Sequence, residues 1–317
     1  MSEIMNEYEL LAPFQNKDAG FSRWTYAIKN DKKYFLKEFL DPVYPTDTSP
    51  SLELRKQRIY DCEEYEKKKR KLYETVNNAS CGNMVRISEF FRYDNHYYIA
   101  TEKIEGQNIS MENILDLSYD DRFLICKTIA FEMLNLHRAH IVHADIKESN
   151  ILIKRTEKGR MVGKIIDFDA SFFENDPPQS EDELGGDQVY LSPEACQFIC
   201  GDSVELTCSI DVFALGLLFH QYLTGKLPLF DSLEYDYAFD AVLDKQQLEL
   251  EPTLAPQLQM MIQGMLECDP DKRFSMETVY SMLCEMDPDI ENNDINNEEE
   301  KSSDDFQNGW FHSAGDL

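Results

Sequence analysis

Strand-like alternation on either side of one long helical stretch fills the first hundred positions, and helical spacing recurs in the remainder. Tyr8 to Phe14 forms a plausible first strand, and WTYAIKNDKKYFLKEFL predicts a hairpin turning at Asn30-Asp31. Ser51 to Asn77 is rich in Glu, Lys and Arg, with an apolar stripe at Cys62, Tyr65, Leu72, Tyr73 and Val76. That pattern predicts a long amphipathic helix with a solvated charged face. Val85 to Tyr93 and His96 to Lys103 predict two antiparallel strands around Asp94-Asn95. Asp120 to Arg138 carries apolar residues at 125, 129, 133 and 136, a helix with one buried face. SIDVFALGLLFHQYLTG is apolar almost all round, which predicts a helix buried in the domain centre. From Asp287 the periodicity stops: DPDIENNDINNEEEKSSDD is acidic and Asn-rich, so disorder is expected. Phe306, Trp310 and Phe311 beyond it form either a short docking motif, for this domain or a partner, or a frayed terminus.

Composition narrows the possible partners. The 317 residues are 42% hydrophobic and 29% charged, an ordinary composition for a chain with a sizeable core. A net charge of −29 argues against nucleic acid, whose phosphates it would repel, and is compatible with basic protein substrates or simply with solubility. The eight cysteines include no Cys-x-x-Cys pair, and Cys196 and Cys200, one turn apart, lack further zinc ligands. The start, MSEIMNEYELL, has no basic region followed by an apolar one, and the longest apolar run, Val212 to Phe219, is too short to span a bilayer. The expectation is a cytoplasmic protein with reduced cysteines and no membrane partner.

The candidate chemistry sits in VHADIKESNILI, Val142 to Ile153. There an acid (Asp145), a lysine (Lys147) and an amide (Asn150) lie between two apolar runs. After a polar hairpin turn at Lys154 to Arg160, KIIDFDAS places Asp167 at the end of a strand. An acid able to accept a proton, a neighbouring cation, and an amide with a carboxylate able to share a hard metal ion suit phosphoryl transfer from a nucleotide. Catalysis there is mostly positioning and charge neutralisation.

These two stretches resemble the H-R-D-x-K-x-x-N and D-F-G motifs of the protein kinase superfamily. The resemblance extends over roughly residues 8 to 286 and implies an α+β, bilobal fold. The expected division is an N-lobe at 1–103, a C-lobe at 104–286 and an acidic tail at 287–317. It implies a serine/threonine protein kinase using ATP and Mg²⁺ on a protein substrate, since a lysine two residues after the catalytic aspartate is typical of that branch. By role, Asp145 would orient the substrate hydroxyl, Lys147 would stabilise the γ-phosphate, and Asn150 and Asp167 would hold Mg²⁺. Lys37, in the strand YFLKEF, resembles the lysine that holds the α- and β-phosphates. Its partner would be Glu66, which shares a helix face with Cys62 and Tyr73; Glu63 and Glu64 are alternatives. Gly20 and Ser22 would belong to the phosphate-covering loop, with Ala19 and Ser22 where the family has its later glycines. Thr101 would be the gatekeeper, Glu102 and Ile104 would offer backbone groups to the base, and Gly106 would let the chain turn. Ser192-Pro193-Glu194 resembles the close of an activation segment, Asp211 would brace the catalytic loop, and Arg273 would pair with Glu194.

Several positions depart from the family pattern. Ala144 replaces the arginine before the catalytic acid, and Asp187 stands near a common threonine position, so activation-loop phosphorylation is not expected to be required. Asp169 replaces the glycine after Phe168, either adding charge for a second metal or capping a turn. Phe35 replaces the small residue over the adenine, where it would crowd the base or stack on it. DPVYPTDTSPS reads as an inserted loop. Two other functions compete. One is a pseudokinase that binds nucleotide or partners. The other is a small-molecule kinase of the aminoglycoside or choline type, whose metal motif often ends in a second acid, as IDFD does. Lys147, Ser192-Pro193-Glu194 and Asp211-Val212-Phe213 follow the protein kinase pattern instead.

Overall fold

The computed structural model describes residues 3–16, 22–46, 52–104, 109, 111–180 and 183–287. Ala19, Gly20, Gly106 and the terminal aromatics Phe306, Trp310 and Phe311 lie outside them.

The N-terminal part is a six-stranded antiparallel sheet: β1 (Ile4–Met5), β2 (Tyr8–Leu10), β3 (Ser22–Lys29), β4 (Lys32–Phe39), β5 (Ile87–Tyr93) and β6 (His96–Glu102). The strand order is β1-β2-β3-β4-β6-β5. The β3–β4 hairpin turns where expected. Asn30 and Asp31 have φ of 52° and 61°, the left-handed pair that a two-residue turn needs to match the strand twist. The strand expected over Tyr8 to Phe14 is β2 and ends at Leu10, and β1 precedes it without having been expected. Alternation divides the sheet. Ala27, Leu36, Phe91, Tyr98 and Ala100 pack with Met5, Tyr8 and Leu10 on the outer face, while Trp24, Tyr26, Phe35 and Lys37 line an inner cleft.

Helix α1 (Leu52–Ala79) buries Cys62, Leu72, Tyr73 and Val76, and Phe90 lies against Tyr73, Tyr97 and Phe39. One apolar core runs from Phe39 and Phe90 through Met84, Ile151 and Ile165 into the helical lobe. That lobe comprises α2 (Tyr119–Arg138), α3 (Pro193–Ile199), α4 (Ser209–Thr224), α5 (Ala238–Leu243), α6 (Pro256–Met265) and α7 (Met276–Glu285). Ser118 caps α2 by accepting from the Asp121 N–H. Helix α4 is buried on every side, as its continuous apolar sequence requires. At Gly216 a Cβ would come within 2.9 Å of Leu266, so only glycine permits α6 to approach this closely. The result is a bilobal α+β fold, and no helix among the described residues is long and apolar enough to cross a membrane.

A histidine ties the end of α4 to the loop beyond it. His220 Nδ1 lies 2.7 Å from the Lys226 carbonyl and must donate, while Nε2 accepts from the Glu251 N–H at 2.9 Å. Both bonds require the neutral ring, and burial pushes its pKa below the usual 6.5. The stabilisation is therefore complete above the unfolded pKa and is lost as pH falls through it toward the depressed folded value. Urea unfolding between about pH 7.5 and 5.5 should show stability falling toward acid, with a shallower slope in His220→Gln.

Candidate active site

Two short strand pairs present two loops side by side. β7 (Ile141–Val142) pairs with β10 (Phe172–Phe173), and β8 (Ile151–Arg155) pairs with β9 (Met161–Ile165). Residues 143–150 lie between β7 and β8, and residues 166–171 lie between β9 and β10. Each loop turns on a left-handed residue, Ala144 at φ 66° and Asp167 at φ 63°. For Ala144 that conformation costs about 1 kcal/mol, and buried Asp211 holds it there. Its carboxylate accepts from the His143 N–H at 2.8 Å and the Ala144 N–H at 2.9 Å, and His137 lies 3.0 Å from the same group.

Asp145 is anchored through one oxygen only. Its Oδ2 accepts from Asn150 Nδ2 at 2.8 Å and lies 2.9 Å from Lys147 Nζ. Asn150 Nδ2 also donates to the Asp145 carbonyl at 2.8 Å. Asp145 Oδ1 is buried without a hydrogen-bond partner among the described residues, an arrangement costly enough to call for a functional reason.

Lys37, from β4, meets two acids. Its Nζ lies 2.8 Å from Asp167 Oδ2 and 2.5 Å from Asp169 Oδ2. Burial works against the Lys37 ammonium, but the charges of Asp169 and Asp167 outweigh it and hold the amine well above its ordinary value. Between the acids, burial and the Asp167 charge push Asp169 up to about 6, against the pull of Lys37. For Asp167 the attraction of Lys37 overcomes burial, and its pKa falls below the usual carboxylate value.

The expected Lys37–Glu66 pair does not form. Glu66 is held by Arg70 at 2.7 Å, one turn along α1, and Arg70 also donates to the Phe90 carbonyl at 2.9 Å. The alternatives are no closer to the role: Glu64 faces Lys67 at 3.5 Å and Glu63 is exposed. The line on α1 that turns inward runs through Cys62, Tyr65, Lys69, Tyr73 and Val76, and Glu66 lies at its edge. Lys69 is the charged group on that line, and its Nζ donates to the Asp169 carbonyl at 2.5 Å. Burial pushes the Lys69 amine down, against the attraction of Asp169 and Asp167. A lysine at three- and four-residue spacing within an apolar stripe was the signal in the sequence that marked it.

Lys37, Asp167 and Asp169 open onto a cleft of about 410 Å³ between the sheet and the helical lobe, within the range of small-ligand sites. Thr101, Glu102 and Ile104 line it, as do Lys37, Asn150 and Asp167. Glu102 also pairs with Lys32 at 3.3 Å. Ser22 is buried at the head of β3, opposite Phe39, and does not line the cleft. The Phe35 ring lies 5.4 Å from Trp24 and 6.0 Å from Tyr26, so the upper wall is aromatic. Trp24 and Tyr26 went unassigned in the sequence, although alternation places them on the face of Lys37. Leu152 and Ile166 supply apolar surface in the same cleft.

The donors suit a hard cation. Asn150 spends its NH₂ on Asp145, which leaves its amide oxygen for a ligand, and the Asp167 carboxylate borders the same cleft. The described residues hold no cluster of three or more His, Cys, Asp or Glu side chains around one point. Mg²⁺ commonly takes one or two protein oxygens and completes its shell with phosphate and water.

Beyond the loop that carries Asp145, Ser192 caps α3 by accepting from the Ala195 N–H at 3.2 Å. Behind the cap, buried Glu194 and Arg273 form a two-bond pair at 2.6 and 2.9 Å. Asp187 caps the turn before Tyr190 by accepting from the Val189 N–H at 3.0 Å.

Comparison with known proteins bears on the family and the fold. The family model for the protein kinase domain matches residues 53–283, beginning beyond Lys37. The chain is 28% identical to serine/threonine-protein kinase ULK3 of Xenopus laevis over 200 residues, 61% of this chain and 40% of the relative. It is 26% identical to the Aurora kinase of Schizosaccharomyces pombe over 218 residues, 68% of this chain and 58% of that one. The match to calcium-dependent protein kinase 4 of Plasmodium berghei is 28% identical and covers 49% of this chain and 28% of the relative. The chain thus spans less than two thirds of the length of each of these relatives. Among solved structures, the kinase PK-1 of Cydia pomonella granulovirus superposes with a TM-score of 0.61 at 18% identity, over 88% of this chain and 95% of that one. With the family model covering most of the chain, this protein belongs to the protein kinase family.

Proposed function

We propose that the protein transfers the γ-phosphate of ATP to serine or threonine hydroxyls of a protein substrate. The observation that carries this reading is the asymmetric anchoring of Asp145. Asn150 and Lys147 hold Oδ2, and Oδ1 is left as an acceptor without a donor. The substrate hydroxyl oxygen forms the new bond to phosphorus, the bond to the β-γ bridging oxygen breaks, ADP leaves, and the hydroxyl proton passes to Asp145 Oδ1. Lys147 rests on Oδ2 of the carboxylate, and from there it reaches the transferring phosphate while Oδ1 stays free to accept. Lys37 orients the α- and β-phosphates, and Asn150 with Asp167 would hold Mg²⁺. The metal, when bound, would neutralise charge on the phosphate oxygens. Phe35 and Trp24 would stack on the purine, and Thr101 with the Glu102–Ile104 segment lines the same cleft.

The test supplies the purified chain with Mg²⁺, γ-labelled ATP and a generic basic protein. Label on protein serine or threonine supports the reading. Nucleotide binding without transfer, autophosphorylation included, supports a pseudokinase. Transfer only to amino-alcohol acceptors supports a small-molecule kinase.

Regulation follows from the same geometry. Asp187 already supplies a fixed negative group in the segment, and Ala144 offers no guanidinium to a phosphate there. Ser180 and Ser203 are exposed, whereas Ser171 donates to the His143 carbonyl and Ser192 caps α3. The Ser180→Ala/Ser203→Ala variant should keep wild-type transfer rates, and loss of activity in a folded double variant would refute phosphorylation-independent activity.

A further inference from the structure

The buried ammonium of Lys37 needs a counter-ion that stays in place when the nearest metal ligand is otherwise engaged. Asp167 touches Lys37 at 2.8 Å, but on the reading above its oxygens are required by a metal. A lysine that orients phosphates therefore needs a second acid, and the described part of α1 supplies none to it, because Glu66 and Glu64 are paired along the helix surface. Asp169 fills this place. Its Oδ2 lies 2.5 Å from Lys37 Nζ, the shortest contact that the lysine makes. Burial pushes the Tyr65 and Tyr73 hydroxyls of α1 up, and the Asp169 charge adds to that shift. Lys69 completes the arrangement from the helix side by donating to the Asp169 carbonyl at 2.5 Å.

We infer that Asp169 is the positioning residue that holds Lys37 in register for the nucleotide phosphates, with Lys69 fastening α1 to the same loop. The inference rests on the kinase reading. It makes Asp169 neither a metal ligand nor a turn cap. The ion pair that seats the lysine has its acid on the metal-binding loop and a cation on the helix, so the charges at the two places are exchanged. The metal loop, Lys37 and α1 are thereby linked through a single residue, and displacement of α1 would pull on the Asp169 main chain directly.

An exchange of charges tests this in the full-length chain. Asp169→Asn keeps the size of the side chain and loses the charge; Asp169→Gly removes the side chain. Lys69→Glu puts an acid on α1, and Lys69→Glu/Asp169→Gly moves the acid from the loop to the helix. Each variant is first checked for cooperative thermal unfolding. KM for ATP, kcat, and the Kd of Mg·ATP by calorimetry are then measured. Losing a charge-assisted contact should raise the ATP KM and Kd about ten- to a hundredfold in both Asp169 variants. The double variant should recover most of that loss, although Lys69→Glu alone weakens binding. Unchanged Kd and KM in Asp169→Asn, or a double variant no better than Asp169→Gly, would overturn the inference. Wild-type protein that binds Mg·ATP without transferring phosphate refutes the proposed activity but leaves the inference to be decided by the Kd series. Wild-type protein that does not bind Mg·ATP refutes both.

Discussion

Asp145→Asn should lower phosphoryl transfer by about 10³-fold, the scale of a lost general base, while Mg·ATP still binds. Asn150 Nδ2 and Lys147 both address Oδ2, so the amide variant can keep its oxygen there and must then place its NH₂ where Oδ1 stood. A donor then replaces the acceptor that the substrate hydroxyl requires, and the loop geometry survives. Single-turnover transfer of labelled phosphate, set beside calorimetric nucleotide binding, separates the two effects. The expected outcome is a fall in kcat with Kd little changed. An Asp145→Asn protein that transfers at the wild-type rate would remove Asp145 from the mechanism.

Arg273→Ala should destabilise the helical lobe by about 3–5 kcal/mol, the typical consequence of stranding one member of a buried ion pair. Arg273 is inaccessible and Glu194 nearly so. The guanidinium also donates to the carbonyls of Glu267, Cys268 and Ser209. It therefore joins three stretches of chain: the start of α3, the start of α4 and the turn before α7. Its removal leaves the Glu194 carboxylate buried without its cation and three carbonyls short of a donor. For a domain of this size the melting temperature should drop by roughly 10 °C, measurable by scanning fluorimetry. Glu194→Leu/Arg273→Met should recover part of the loss, because an apolar pair leaves no buried charge.

The local features were legible where one periodicity left no competitor. The β3–β4 hairpin turns at the expected Asn30-Asp31, α1 and α2 end within a residue or two of their predicted bounds, and α4 is buried all round. The candidate catalytic group was equally legible. Asp145, Lys147 and Asn150 are close in sequence, so chain geometry alone brings them together, and Asp167 arrives on a hairpin short enough to return to them.

Partner choice across the lobes was not legible. Local spacing alone allowed Glu66, Glu63 or Glu64 to face Lys37. In the folded chain Arg70 lies one turn from Glu66 and is itself tied to the Phe90 carbonyl, so Glu66 is already satisfied on the helix surface. The role of Asp169 was hidden for a related reason. Beside Asp167 in sequence it reads as a second metal acid, and only the approach of Lys37 from β4 and Lys69 from α1 gives it two cations to face. By itself the sequence determined most of the elements and the order of the candidate residues, because periodicity and short loops act over a few residues. The bilobal architecture was legible only through the resemblance to the protein kinase family. The tertiary structure decided which charge neutralises which. Buried charges must be paired, and the nearest opposite charge in space was not the nearest one along the helix.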